Sequence, residues 1–192
     1  MTTKFDLSGI KARIDALTDE FGGKEAKVGF PSNIQYEDGT PVAFVATIQN
    51  YGAPAAKIPP RPFMGPAFER NKDKWTKYLA SQVRKVAQGS LDGTEALMNV
   101  GMIAAADVQQ EIEDVNNPPL SPITLLLRDW RREGRKITGK TVGEAAAAIR
   151  DGAVPKAANE PLTDTGFMIA SVRYGVSKAG GDEDPDHELS GS

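Results

Sequence analysis

Five prolines crowd residues 54–66: Pro54, Pro59, Pro60, Pro62 and Pro66. Proline fixes φ and has no N–H, so neither a helix interior nor a central strand can run through this stretch. The segment Ile58-Pro59-Pro60-Arg61-Pro62-Phe63-Met64 is therefore expected to run extended, close to polyproline II. Its apolar residues Ile58, Phe63 and Met64 argue against a solvated linker. Two uses remain open: a strap pressed onto the chain's own core, or an arm that contacts a neighbouring molecule.

Around this stretch the patterns are mostly helical. Ile10, Ile14, Leu17 and Phe21 mark one helix face that ends at Gly22-Gly23. Residues 26–30 read as a short strand closed by Pro31, and residues 36–40 as a turn. Pro41 at the first helical position and Gly52 as a stop favour a helix over residues 42–51. A helix over about 66–88 places Phe68, Trp75, Leu79, Val83 and Val86 on one stripe. The next opens at Asp92, with Glu95 completing a capping box, and carries Leu97, Gly101, Ala104, Ala105, Val108, Ile112 and Val115 to a stop at Asn116-Asn117-Pro118-Pro119. Ser121-Pro122 caps and starts a further helix with Leu125, Leu126, Leu127 and Trp130 on its apolar side. Residues 141–149 are alanine-rich and helical, and a strand around Val172 pairs with that around Val28. The expected fold class is α+β: a small antiparallel β-sheet, with room for a third strand, packed with several α-helices and one extended proline-rich segment. Residues 1–178 form a single domain, and the acidic residues 179–192 are expected to be disordered.

Composition removes several chemistries. The chain has 192 residues, 40% of them hydrophobic, enough for one domain with a real core. It has no cysteine, so disulfides, thiolate nucleophiles and zinc-thiolate sites are excluded. The only histidine, His187, lies in the acidic tail, which argues against a Ser-His-Asp triad or a histidine metal cluster. No apolar run reaches the roughly 18 residues a membrane helix needs, and the first residues lack the apolar core of a secretory signal. Neither a cofactor nor a metal is expected.

The net charge is only −3, but the charges are segregated. Residues 69–85 are basic, residues 91–115 carry acids and no base, residues 128–140 are basic again through Arg128, Arg131, Arg132, Arg135, Lys136 and Lys140, and the tail is acidic. Solvated helix faces explain this, as do complementary surfaces meeting between identical subunits, with 69–85 of one against 91–115 of the next. Paired acids such as Glu111 and Asp114 read as a solvated face.

Late in the chain stands Asp164-Thr165-Gly166, the triplet of aspartic proteases. Those enzymes oppose two such loops so that two carboxylates share a proton, and they are rich in β-strands. Here there is one copy, followed by the bulky Phe167 in a helical chain. The structural reading is preferred: Thr163 or Asp164 caps the start of a short helix, and Gly166 gives room for close backbone approach. Met168, Val172 and Tyr174 then pack inward or onto a neighbour.

Three blocks resemble the tail-completion (neck, virion-morphogenesis) proteins of long-tailed bacteriophages. They are Ile48-Gln49-Asn50-Tyr51-Gly52-Ala53-Pro54 running on through Ile58 to Met64, then residues 117–124, then residues 161–168 with Ser171-Val172-Arg173-Tyr174. Together they span about residues 25–178. The stretch 125–160 is longer than the linker of many members and reads as an inserted arm. The resemblance implies a virion component without catalysis, assembled in the host cytoplasm into a ring, commonly a hexamer, where the tail joins the head connector and DNA passes through. Its implied partners are copies of itself, a head-connector or stopper protein, a tail-terminator or tail-tube protein, and DNA contacted without sequence recognition, with no membrane. Contact candidates are Tyr51, Ile58, Arg61, Phe63 and Met64 in the strap, and Arg128, Arg131, Arg132 and Arg135 in the basic segment. The alternatives are a tail-terminator ring and a non-specific nucleic-acid-binding module using residues 128–140. A pI near 5.3 weighs against the latter.

Overall fold

Two long antiparallel helices, α3 (Met64–Ala87) and α4 (Gly93–Asp114), form the spine of the computed structural model, which describes residues 8–162 and 166–180. Before them come α1 (Ser8–Phe21), β1 (Lys24–Gly29) and α2 (Val42–Tyr51); after them α5 (Pro122–Arg132), α6 (Gly139–Arg150), α7 (Phe167–Ala170) and β2 (Arg173–Lys178). The architecture is α+β. Among the described residues the sheet has two strands and no third, with β1 and β2 antiparallel and Val28 opposite Tyr174. The sheet lies across α4, where Gly101 makes the room: a Cβ there would stand 3.1 Å from the Tyr174 ring and 3.2 Å from its Cβ.

The core joins distant parts of the chain. Val42 and Ala46 of α2, Phe63 of the strap, Ala67 of α3, Ala105, Val108 and Ile112 of α4, and Leu162, Met168 and Val172 near the C-terminal strand form one cluster. Burying such side chains contributes roughly 1.5–3 kcal/mol each. The apolar side expected for α4 is the one that is buried, with Val115 partly covered. Its first turn is capped by the Asp92 carboxylate, which accepts from the Glu95 N–H at 2.7 Å. The reciprocal capping box is formed instead at α6, between Thr138 and Thr141.

Several expectations are corrected in detail. Pro41 is the N-cap of α2 and not its first helical residue, while Gly52 does end that helix with φ 77°. Helix α3 begins at Met64, so Pro66 lies inside its first turn, where a missing N–H costs nothing. Its buried face carries Ala67, Gln82 and Val86, whereas Phe68 is exposed and stacks edge-on against Trp75 at 6.0 Å. The strap is not extended throughout. Pro54–Ala56 make a 3₁₀ turn closed by Lys57 in the left-handed region, and only then does the chain run straight to Phe63. Gly166 is the N-cap of α7 with φ 69°. Its role is this left-handed conformation and not a close approach, since a Cβ there would meet nothing within 4 Å. Thr163, Asp164 and residues 181–192 lie outside the described residues.

Helices α5 and α6 pack mainly on each other. Ser121 caps α5 by accepting from Thr124 N–H, with Pro122 at the first helical position.

Candidate functional site

The strap is fastened by polar side chains that the helices supply. The Asn50 side-chain oxygen, on the last turn of α2, accepts from the backbone N–H groups of Phe63 at 3.0 Å and Met64 at 3.2 Å. These donors stand at the start of α3, where a helix has no carbonyls of its own to offer them. The Arg61 N–H donates to the Gln49 carbonyl at 2.7 Å, and Arg61 Nε donates to the Pro118 carbonyl at 3.0 Å. Arg128 donates from Nη1 to the Glu160 carbonyl at 2.7 Å and from Nη2 to the Pro161 carbonyl at 3.1 Å. Arg61 and Arg128 are only 5% and 8% exposed. Burial first, and then the positive charge of Arg128, hold the Arg61 guanidinium below its ordinary pKa.

Two like charges held this way bind three loops together. Residues 58–63, 117–120 and 160–162 meet at this junction, and Phe63 and Leu162 continue it into the core. Arg61, Phe63 and Arg128 are therefore internal ties and not contact residues; Phe63 has no exposed surface at all. Ile58 and Met64 are half-buried, Met64 against the core. Tyr51 is different. It is 75% exposed, and it borders a cavity of about 270 Å³ also lined by Phe30, Thr47 and Met64. Phe44, on the outer side of the same helix, and Phe68 are exposed as well. Arg131, Arg132 and Arg135 are exposed; the Arg135 guanidinium lies 4.0 Å over the Trp130 ring and pairs with Glu144.

The charge segregation has an answer inside one chain. Arg70 Nη1 grips Glu111 at 2.9 and 2.7 Å, and Lys74 Nζ holds Asp107 at 2.7 and 2.8 Å, with Trp75 Nε1 donating to the same carboxylate at 2.7 Å. Thus 69–85 and 91–115 pair within the subunit over this stretch. Glu111 is a buried partner of Arg70 and not part of a solvated face.

A second cavity, of about 230 Å³, lies between α2 and α5 and is lined by Tyr36, Gln49, Arg128, Arg131 and Met168 among others. Burial, and then the nearby Asp38 carboxylate, raise the Tyr36 phenol above its ordinary pKa. Among the described residues no group of three or more His, Cys, Asp or Glu side chains is placed to hold a metal, and no helix is long and apolar enough to cross a membrane. The ties at Asn50 and Glu111 were missed in the sequence, because a buried amide or carboxylate looks like any surface one until its partner is placed. Comparison with protein-family models, curated proteins and solved structures found no match to this chain.

Proposed function

We propose that this chain is a structural, non-catalytic component of a long-tailed phage virion, a tail-completion ring at the head–tail junction through which DNA passes. The observation that carries this reading is that the three blocks that resemble tail-completion proteins meet in space: Arg61 of the first donates to the Pro118 carbonyl of the second, and Phe63 of the first shares one core cluster with Leu162 of the third. Blocks that are far apart in sequence and meet in space behave as one structural unit, with the strap as its keystone. The exposed aromatics Phe44, Tyr51 and Phe68 offer the apolar surface that subunit contacts use.

The ring is a homo-oligomer, hexameric by resemblance, joined to a connector or stopper on one side and to a tail-terminator or tail-tube protein on the other. It needs no cofactor. DNA slides through without sequence-specific contacts. The tail-terminator position is the nearest alternative within the same class. A nucleic-acid-binding module is less favoured, because Arg128 is committed to internal carbonyls and Arg135 to Trp130 and Glu144.

Electron microscopy of the purified full chain tests the proposal. Closed particles with rotational symmetry and a central opening are expected. Particles the size of one chain under every condition would overturn it.

A further inference from the structure

The ion-pair ladder between α3 and α4 is incomplete, and incomplete with opposite sign at its two ends. Arg70, Lys74, Lys77, Arg84 and Lys85 lie along one flank of α3 at helical spacing. Arg70 and Lys74 meet Glu111 and Asp107. Further along α3 the facing part of α4 runs through Val100, Leu97 and Ala96 and supplies no acid to that flank. Lys77, Arg84 and Lys85 have no acidic partner among the described residues. At the opposite end, Glu113 and Asp114 lie on the last turn of α4, level with the start of α3. Both are exposed; Glu113 has no basic partner among the described residues, and Asp114 accepts only from the Gln110 amide at 3.1 Å.

Each charged end carries apolar surface of its own. Beside the basic end, α1 presents Ile10 and Ile14, each more than half exposed, and buries none of its residues fully. Arg13 of the same helix lines a groove with Val86 and Ala87 at the end of α3. The acids of that groove are engaged: Glu20 accepts from Gly93 N–H and Asp92 from Glu95 N–H. Beside the acidic end stand Phe68, Tyr51 and the cavity around Met64. The two surfaces are separated by most of α3, roughly 25 Å at 1.5 Å per residue from Phe68 to Lys85, so one chain cannot bring its own ends together.

We infer that the basic end of one subunit, with Lys77, Arg84, Lys85 and the Ile10–Ile14 face of α1, docks on the acidic end of a second copy, with Glu113, Asp114, Tyr51 and Phe68. The contact is heterologous, one end on the other, and such contacts propagate into rings. Opposite charges fix its direction, since two basic or two acidic ends repel. The inference deepens the ring reading and rests on it, naming the surfaces by which copies join.

Sedimentation velocity on three full-length proteins tests it: the unaltered chain, a basic-end variant (Arg84→Glu with Lys85→Glu) and an acidic-end variant (Glu113→Lys with Asp114→Lys). All four positions are exposed, and single Arg84→Glu and Glu113→Lys variants serve if a double variant unfolds. Each variant alone is expected to lose higher assembly, its dissociation constant raised at least about tenfold. Mixed, the two are expected to recover higher assembly, through the pair of ends left unaltered and through the altered pair, whose charges are exchanged and again opposite. Assembly of both variants unchanged from the unaltered chain would overturn this inference and leave the ring reading standing. An unaltered chain that is monomeric throughout would overturn both.

Discussion

Asn50 caps a helix to which it does not belong: its side-chain oxygen takes the backbone N–H groups of Phe63 and Met64, the entry to α3. Without it the buried Phe63 donor and the part-buried Met64 donor would both lose this partner. Asn50→Ala is expected to lower stability by about 2–3 kcal/mol, the cost of leaving buried donors unsatisfied. Urea unfolding followed by circular dichroism checks it. A loss below about 0.5 kcal/mol, the range of ordinary surface substitutions, would mean that the strap is held by its apolar residues alone.

Gly101 and Tyr174 set the distance between α4 and the sheet. Alanine at position 101 gains about 1 kcal/mol of helix propensity, but its Cβ falls 3.2 Å from a Tyr174 Cβ that β2 holds in place. Overpacking is expected to win, giving a net loss of about 1–2 kcal/mol. Combining Gly101→Ala with Tyr174→Ala should cost less than the sum of the two single changes. Strict additivity in thermal or urea unfolding would show that the two do not press on each other.

The Arg70–Glu111 pair is asymmetric, with the Arg70 side chain 66% exposed and that of Glu111 9%. Removing the arginine strands a carboxylate in a covered site; neutralising the acid leaves a guanidinium already in water. Arg70→Ala is therefore expected to cost about 2–3 kcal/mol and Glu111→Gln about 1 kcal/mol or less. Equal losses in parallel denaturation curves would contradict this asymmetry.

Asp38 shapes the turn before α2 by accepting from the Thr40 N–H at 2.9 Å. That bond holds its carboxyl below the ordinary value of 3.8. Because the folded pKa is the lower one, the stabilisation is full above the unfolded value and is lost as pH falls through the folded one. A carboxyl NMR titration is expected to place the Asp38 midpoint below 3.8, and Thr40→Pro, which removes the donor, should raise it. A midpoint at or above the ordinary value would show that the turn does not rely on this bond.

Elements built from local signals were legible before the structure. Asp92, Ser121 and Pro122 announce helix starts by chemistry confined to one turn, and the small and apolar residues of α4 repeat at helical spacing whatever lies against them. The strap was legible as non-helical and as apolar, yet the choice between arm and internal tie depended on Asn50, which the sequence places outside it. Arg61 and Arg128 misled for a similar reason. A guanidinium in a proline strap or a basic run reads as surface charge, and only the carbonyls of Pro118, Glu160 and Pro161, brought from other loops, make burial acceptable. Phe68 misled in the other sense: hydrophobicity placed it on the buried stripe, while the antiparallel partner helix selected Ala67 and Gln82.

The central claim is that this molecule works by joining copies of itself, and the native mass of the full chain across a wide concentration range tests it most directly. A single discrete multiple of the 20.6 kDa chain, persisting on dilution and loosened by high salt, is the expected result. A mass of one chain at every concentration and ionic strength would contradict it.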